Sequence, residues 1–212
     1  MKIYEYGNSD AAIVLVQPVD DHDMAGLEAE VAEIRRLAEK DFCLLAIKVD
    51  SWNRDLSPWQ APAVFGNDDF GVGAMKTLAG ILKLCQEEDK TYFLGGYSLA
   101  ALFSLWTAYQ TDTFVGIAAA LPSMWFPGFV DYMKENTIQC SNIYLSLGDK
   151  EEKTRNVVMA KVGDCIRDMH GWLKEQGINC ILEWNAGGHF REPELRTARA
   201  FAWLLEQLPF TA

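Results

Sequence analysis

The chain has 212 residues, half of them apolar, and its 19 basic and 30 acidic residues give a formal charge of -11. That is material for one sizeable core and no more, so a single domain over 1–212 is expected. The negative balance repels nucleic-acid backbones and anionic membrane surfaces, and no stretch approaches the roughly 20 apolar residues that span a bilayer.

The N-terminal MKIYEYGNSD lacks the apolar run of a signal peptide, which points to the cytoplasm. Short apolar runs follow at 12–17, 42–49, 91–96, 114–120, 142–148 and 178–184, each of a length that suits a buried strand. Amphipathic stretches separate them. Leu27, Val31, Ile34 and Ala38 share one helical face, as do Val158, Val162, Cys165, Met169 and Trp172, and then Ala198, Phe201, Leu205 and Leu208. Pro193 suits the first position of that last helix, and Pro209 ends it. The helix after residue 98 is apolar on nearly every face and is expected at the centre. This βαβα order predicts an α/β fold with a mostly parallel sheet covered on both faces. The five cysteines have no Cys-x-x-Cys pairing that would hold zinc and read as reduced core thiols, so no metal is expected.

Residues 50–73 are too rich in Pro, Gly and Asn for one regular element. They follow a strand's C-terminal end, where ligands bind in open α/β sheets, so Trp52, Trp59 and Phe65 become candidate pocket walls.

Gly96-Tyr97-Ser98-Leu99-Ala100 fits Gly-x-Ser-x-Gly with alanine in the last place. The pattern alone is weak, with roughly 0.1 to 0.2 chance matches in a chain this long. Gly7-Asn8-Ser9-Asp10-Ala11 also matches it, but precedes a strand and leads into no helix. Ser98 stands between strand and helix, where a sharp turn lifts its hydroxyl above the sheet.

Such a hydroxyl needs a base. His170 lies within a predicted helix and His22 precedes the serine; His189, in Ala186-Gly187-Gly188-His189-Phe190, follows the last strand beside two glycines that let the backbone turn. The acid that orients the base is expected after a late strand, where Asp149, Glu151 and Glu152 compete. For the oxyanion hole the amides of Leu99 and, because Pro18 has no N–H, of Val19 are the candidates.

These residues resemble the α/β-hydrolase superfamily, and within it the esterase branch that includes enterochelin esterases and esterase D. The resemblance spans nearly the whole chain, through GGYSLAA, LPSMWFPGF, LGDKEEKTRN and NAGGHF. It implies Glu151 as the acid, because in related esterases that residue lies three positions after the strand-ending glycine, here Gly148. Two departures stand out: Ala100 in place of glycine, and Gln17-Pro18 in place of the usual His-Gly of the oxyanion loop. The chain is short for the superfamily, so an open, shallow pocket with little or no lid is expected.

The implied activity is hydrolysis of a small carboxylic ester through an acyl-enzyme, with no cofactor. Trp52, Trp59, Trp125 and Phe126 would favour an apolar acyl or aryl group. Thioesters and amides run through the same intermediate, and an inactive scaffold used for binding is the alternative from another class. A nucleotide-binding domain is excluded by QPVDDHDMAG, acidic and nearly without glycine where phosphate would need it. The sequence gives no basis for an oligomeric state.

Overall fold

A computed structural model describes residues 1–209; the last three residues of the expected 1–212 domain lie outside the described residues. Among the described residues seven strands form one sheet: β1 (Lys2–Gly7), β2 (Ile13–Val19), β3 (Cys43–Lys48), β4 (Thr91–Tyr97), β5 (Phe114–Ala120), β6 (Asn142–Gly148) and β7 (Asn179–Asn185). Their order is β1-β3-β2-β4-β5-β6-β7, parallel throughout except for the β1–β3 pair.

Strands β2 to β7 fall on the six apolar runs. β1 was not expected from the sequence, for a physical reason: it is an edge strand, exposed at every position except the half-buried Tyr6, and so has no buried face to mark it.

Helices cover both faces. They are α1 (Asp21–Met24), α2 (Leu27–Leu37), α3 (Trp52–Asp55), α4 (Ala74–Leu82), α5 (Leu99–Thr107), α6 (Phe129–Glu135), α7 (Val162–Glu175) and α8 (Pro193–Glu206). The two-residue alternation of the strands divides their apolar side chains between two cores. Val14, Val16, Leu94, Ile143 and Leu145 pack with α4, α5, α6 and α7; Leu15, Phe93 and Tyr144 pack with α2 and α8 on the opposite face.

All nine residues of α5 are buried, as its uniformly apolar sequence predicts. Pro193 opens α8 at its first turn. Helix α7 starts at Val162, so Val158 precedes it in a turn instead of belonging to its stripe. Of the cysteines, all free, four are buried and Cys165 is half-buried. Burial pushes the thiols up, to about 11 for Cys43 and about 12 for Cys85, so they sit in the core as neutral groups. Among the described residues no helix is long and apolar enough to cross a membrane.

Candidate active site

The turn between β4 and α5 is strained where the sequence pattern demands it. Ser98 has φ 57° and ψ -116°, a positive φ that a side-chain-bearing residue adopts only when its surroundings enforce it. The amide of Ser98 donates to the Ala120 carbonyl (3.1 Å), and its own carbonyl accepts from Leu102 (3.1 Å) and Ser123 (3.2 Å). Close approach of strand and helix explains the Gly/Ala pair of the motif. A Cβ on Gly96 would lie 2.7 Å from the Ala100 Cβ, so alanine fits at 100 because glycine stands at 96.

Ser98 Oγ lies 3.0 Å from His189 Nε2, and His189 Nδ1 lies 3.1 Å from Glu151 Oε2. The three side chains form one hydrogen-bonded relay. Asp149 does not reach the imidazole: its Oδ1 accepts the Gly187 N–H at 2.8 Å, while the Asp149 amide donates to the Asn185 carbonyl at 2.9 Å. Glu152 turns away to Arg167, 2.8 Å from its Nη2. The carboxylate immediately beyond the strand's end is thus spent on the histidine loop's backbone, and the next turn presents Glu151 to the ring. Gly148 permits this closeness, since a Cβ there would stand 2.4 Å from the Gly187 carbonyl oxygen.

The histidine loop is also held from behind. Arg196 of α8 is 1% exposed, yet it donates to the carbonyls of Gly188 (3.1 Å) and Ala186 (3.0 Å) and to Tyr97 Oη (3.3 Å). Tyr97 Oη in turn donates to the His189 carbonyl at 2.5 Å. Burial holds that phenol protonated, above its ordinary range. Sequence reasoning missed Arg196; an arginine close to the apolar stripe near the start of α8 was the available signal. Arg196→Met strands two carbonyls, and a loss of about 2–3 kcal/mol is expected, a fall of roughly 5–10 °C in a thermal melt. An unchanged melt would show the loop to be held without it.

A cavity of about 420 Å³ opens in front of Ser98 and His189. Trp52 and Trp125 line it as expected, with Phe65, Met159, Phe190, Asp20 and Asp23. Trp59 does not. Its indole donates to the Pro127 carbonyl (2.9 Å), and its ring packs on Phe126 at 5.6 Å; Phe126 itself contacts Phe70, which touches Trp125. Trp59 and Phe126 are therefore backing for the wall and not part of it.

Ser123, which the sequence reading did not single out, places its hydroxyl 3.3 Å from Ser98 Oγ. His22 borders the cavity, as its position after β2 suggested, and His170 is half-buried on α7, remote from the relay.

Leu99, as the first residue of α5, has an N–H without an intrahelical acceptor. Val19 departs from expectation. It is the fully buried last residue of β2, paired in register with Lys48, and is absent from the cavity walls. Asp20 takes that place; its side chain accepts from His22 and Asp23 to cap α1, and its amide donates to Asp23 Oδ2 at a long 3.3 Å.

Two carboxyls beside the site are perturbed. Burial and the neighbouring Asp20 push Asp23 up to about 6, and burial pushes Glu30, whose partner is Gln17 Nε2 at 3.3 Å, well above the usual carboxylate range. Both shifts favour the folded state when the groups are protonated. Their stabilisation is complete below pH ~4 and is lost as pH rises, for Asp23 through about 6. Glu30→Gln is expected to flatten the fall of stability between pH 5 and 8 in urea titrations, and a parallel fall in wild type and variant would contradict it.

No protein-family model matches this sequence, and a comparison with curated proteins finds no match either. Solved structures do match. The siderophore hydrolase EstA from Aspergillus nidulans is 17% identical with a TM-score of 0.71, over 96% of this chain and 86% of that one. An IroE-like serine hydrolase from Shewanella oneidensis is 13% identical with a TM-score of 0.71, over 98% and 76%. An alpha-beta serine hydrolase homologue from Coxiella burnetii is 14% identical with a TM-score of 0.55, over 96% and 88%.

The fold is the α/β-hydrolase fold. Within this fold, Ser98 follows the fourth strand of the sequence, Glu151 the sixth and His189 the seventh, so the relay gathers at the strands' C-terminal ends. The cavity walls come from loops and short elements there, Trp52 from the four-residue α3 and Trp125 from the segment between β5 and α6.

Proposed function

We propose that the chain hydrolyses a small carboxylic ester, with Ser98 as nucleophile, His189 as general base and Glu151 as the group that orients and stabilises the imidazolium. The observation that carries this reading is the unbroken relay of 3.0 and 3.1 Å from Ser98 Oγ through His189 to Glu151. His189 takes the hydroxyl proton as Ser98 attacks the acyl carbon, then returns it to the departing alcohol. A water repeats the sequence in reverse on the acyl-enzyme. The Leu99 amide is one donor to the developing oxyanion, and the Asp20 amide, with only a long bond to Asp23, is the second.

The aromatic walls of Trp52, Phe65 and Trp125 suit an acyl or alcohol group with apolar surface. The hydrolase chemistry named for the neighbours EstA, a siderophore hydrolase, and the IroE-like serine hydrolase supports a hydrolytic reading of the same kind. Five free thiols fit the reducing cytoplasm as its compartment.

The experiment is turnover of p-nitrophenyl acetate and butyrate by the intact protein together with fluorophosphonate labelling. Turnover with one modified residue, Ser98 by peptide mapping, is the expected result. A protein that neither turns over nor labels would replace this reading with a binding scaffold.

A further inference from the structure

Ser123 touches the reacting oxygen without belonging to the relay. It is 3% exposed, and among the described residues its hydroxyl has one hydrogen-bond partner, Ser98 Oγ at 3.3 Å. The relay fixes the direction of that bond. Glu151 accepts the Nδ1–H of His189, so Nε2 carries the lone pair and Ser98 Oγ gives it its only proton. Ser123 is therefore the donor and Ser98 Oγ the acceptor.

The backbone is bent to make this contact. Leu121, between β5 and Ser123, has φ 48°, a left-handed value that a leucine holds only under constraint from its surroundings. Pro122 fixes the next φ, and the Ser123 amide then donates to the Ser98 carbonyl at 3.2 Å. Residues 98 and 123 are thus joined twice, by backbone and by side chain, with one strained turn at Ser98 and another just ahead of Ser123.

A separation of 3.3 Å is long for two hydroxyls at rest, and such a bond tightens when charge builds on its acceptor. In acylation Oγ starts as a hydroxyl that already accepts from Ser123, so the bond stabilises the ground state and the transition state alike. In the acyl-enzyme the same atom is the alkyl oxygen of an ester, a poor acceptor. It regains alkoxide character only as the C–Oγ bond breaks, and there the donor acts on the transition state alone.

We propose that Ser123 is a catalytic residue of deacylation, donating a hydrogen bond to Ser98 Oγ as that oxygen leaves the acyl carbon. The water oxygen bonds to the acyl carbon while His189 takes its proton. The C–Oγ bond then breaks with its electron pair passing to Oγ, and the imidazolium returns the proton there. Ser123 keeps its own proton throughout. This role deepens the esterase reading and rests on it.

The test uses p-nitrophenyl trimethylacetate, whose hindered acyl group is released slowly enough for the acyl-enzyme to be freed of excess ester and followed. Acylation is read from the p-nitrophenol burst and deacylation from the loss of acylated protein by intact mass, in wild type and Ser123→Ala. The variant is expected to deacylate about tenfold more slowly and to acylate within about threefold of the wild-type rate. With p-nitrophenyl acetate its kcat and KM should then fall together. A residue that only kept Ser98 aligned would slow acylation at least as much, because alignment precedes attack. Equal losses in the two steps, or deacylation at the wild-type rate, overturn the role of Ser123 and leave the esterase reading standing. A wild type that forms no acyl-enzyme at Ser98 overturns both.

Discussion

Replacing Ser98 with alanine is expected to lower kcat/KM for p-nitrophenyl esters by about 10⁴- to 10⁶-fold and to abolish fluorophosphonate labelling. The size of the effect follows from the relay: without the hydroxyl, His189 has no proton to accept on the path to an acyl-enzyme, and what survives is binding and oxyanion stabilisation around a water attack. Fold should be untouched or slightly improved, because alanine keeps the turn's backbone hydrogen bonds to Ala120, Leu102 and Ser123 and removes only a polar group placed for chemistry. A thermal melt at or above the wild-type value, together with lost turnover, is the combined signature. A variant that retains a tenth of the activity would remove Ser98 from the chemistry.

Glu151→Gln should come next in magnitude, about 10³- to 10⁴-fold in kcat. A glutamine can donate its amide N–H to His189 Nδ1, which moves the ring proton to Nε2, and Nε2 then has no lone pair to accept from Ser98. The carboxylate also stabilises the imidazolium, and a neutral amide does not. Asp149→Ala provides the contrast. It strands the Gly187 N–H, which costs about 1–3 kcal/mol of stability, and shifts the loop without touching the tautomer. Its loss of kcat is expected to stay under about a hundredfold, in line with a misplacement and not a lost charge. If Asp149→Ala proves the more damaging of the two in kcat, the acid has been misassigned.

Those two carboxylates mark the boundary of what the sequence discloses. The sheet is legible because each buried strand from β2 to β7 needs an uninterrupted apolar run, and the turn at Ser98 because strand, glycine and apolar helix adjoin in the chain. Asp149 and Glu151 are chemically alike and two residues apart; which one meets His189 depends on the Gly187 amide claiming the first, a contact between segments 38 residues apart. Trp59 is similarly opaque, since an aromatic that lines a pocket and one that backs the lining differ only in which neighbour, here Phe126, stands between. Val19 was preferred because Pro18 has no N–H, but β2 continues through Val19 and the turn into α1 puts Asp20 at the rim instead. Arg196 shows the converse: its role arises wholly from tertiary partners, the carbonyls of a loop that precedes it by several residues and a phenol from β4.

The contact between Gly96 and Ala100 carries a consequence for how this chain can change over time. The gap of 2.7 Å between a would-be Cβ at 96 and the real one at 100 makes the two positions a single evolutionary locus with room for about one methyl group. A drift to alanine at 96 is open only to a lineage that has already lost its alanine at 100, so the order of the two substitutions is fixed. It is the absence of a methyl at 96 that lets this turn carry alanine in place of the second glycine, the residue whose flexible backbone is costliest to order when a helix starts.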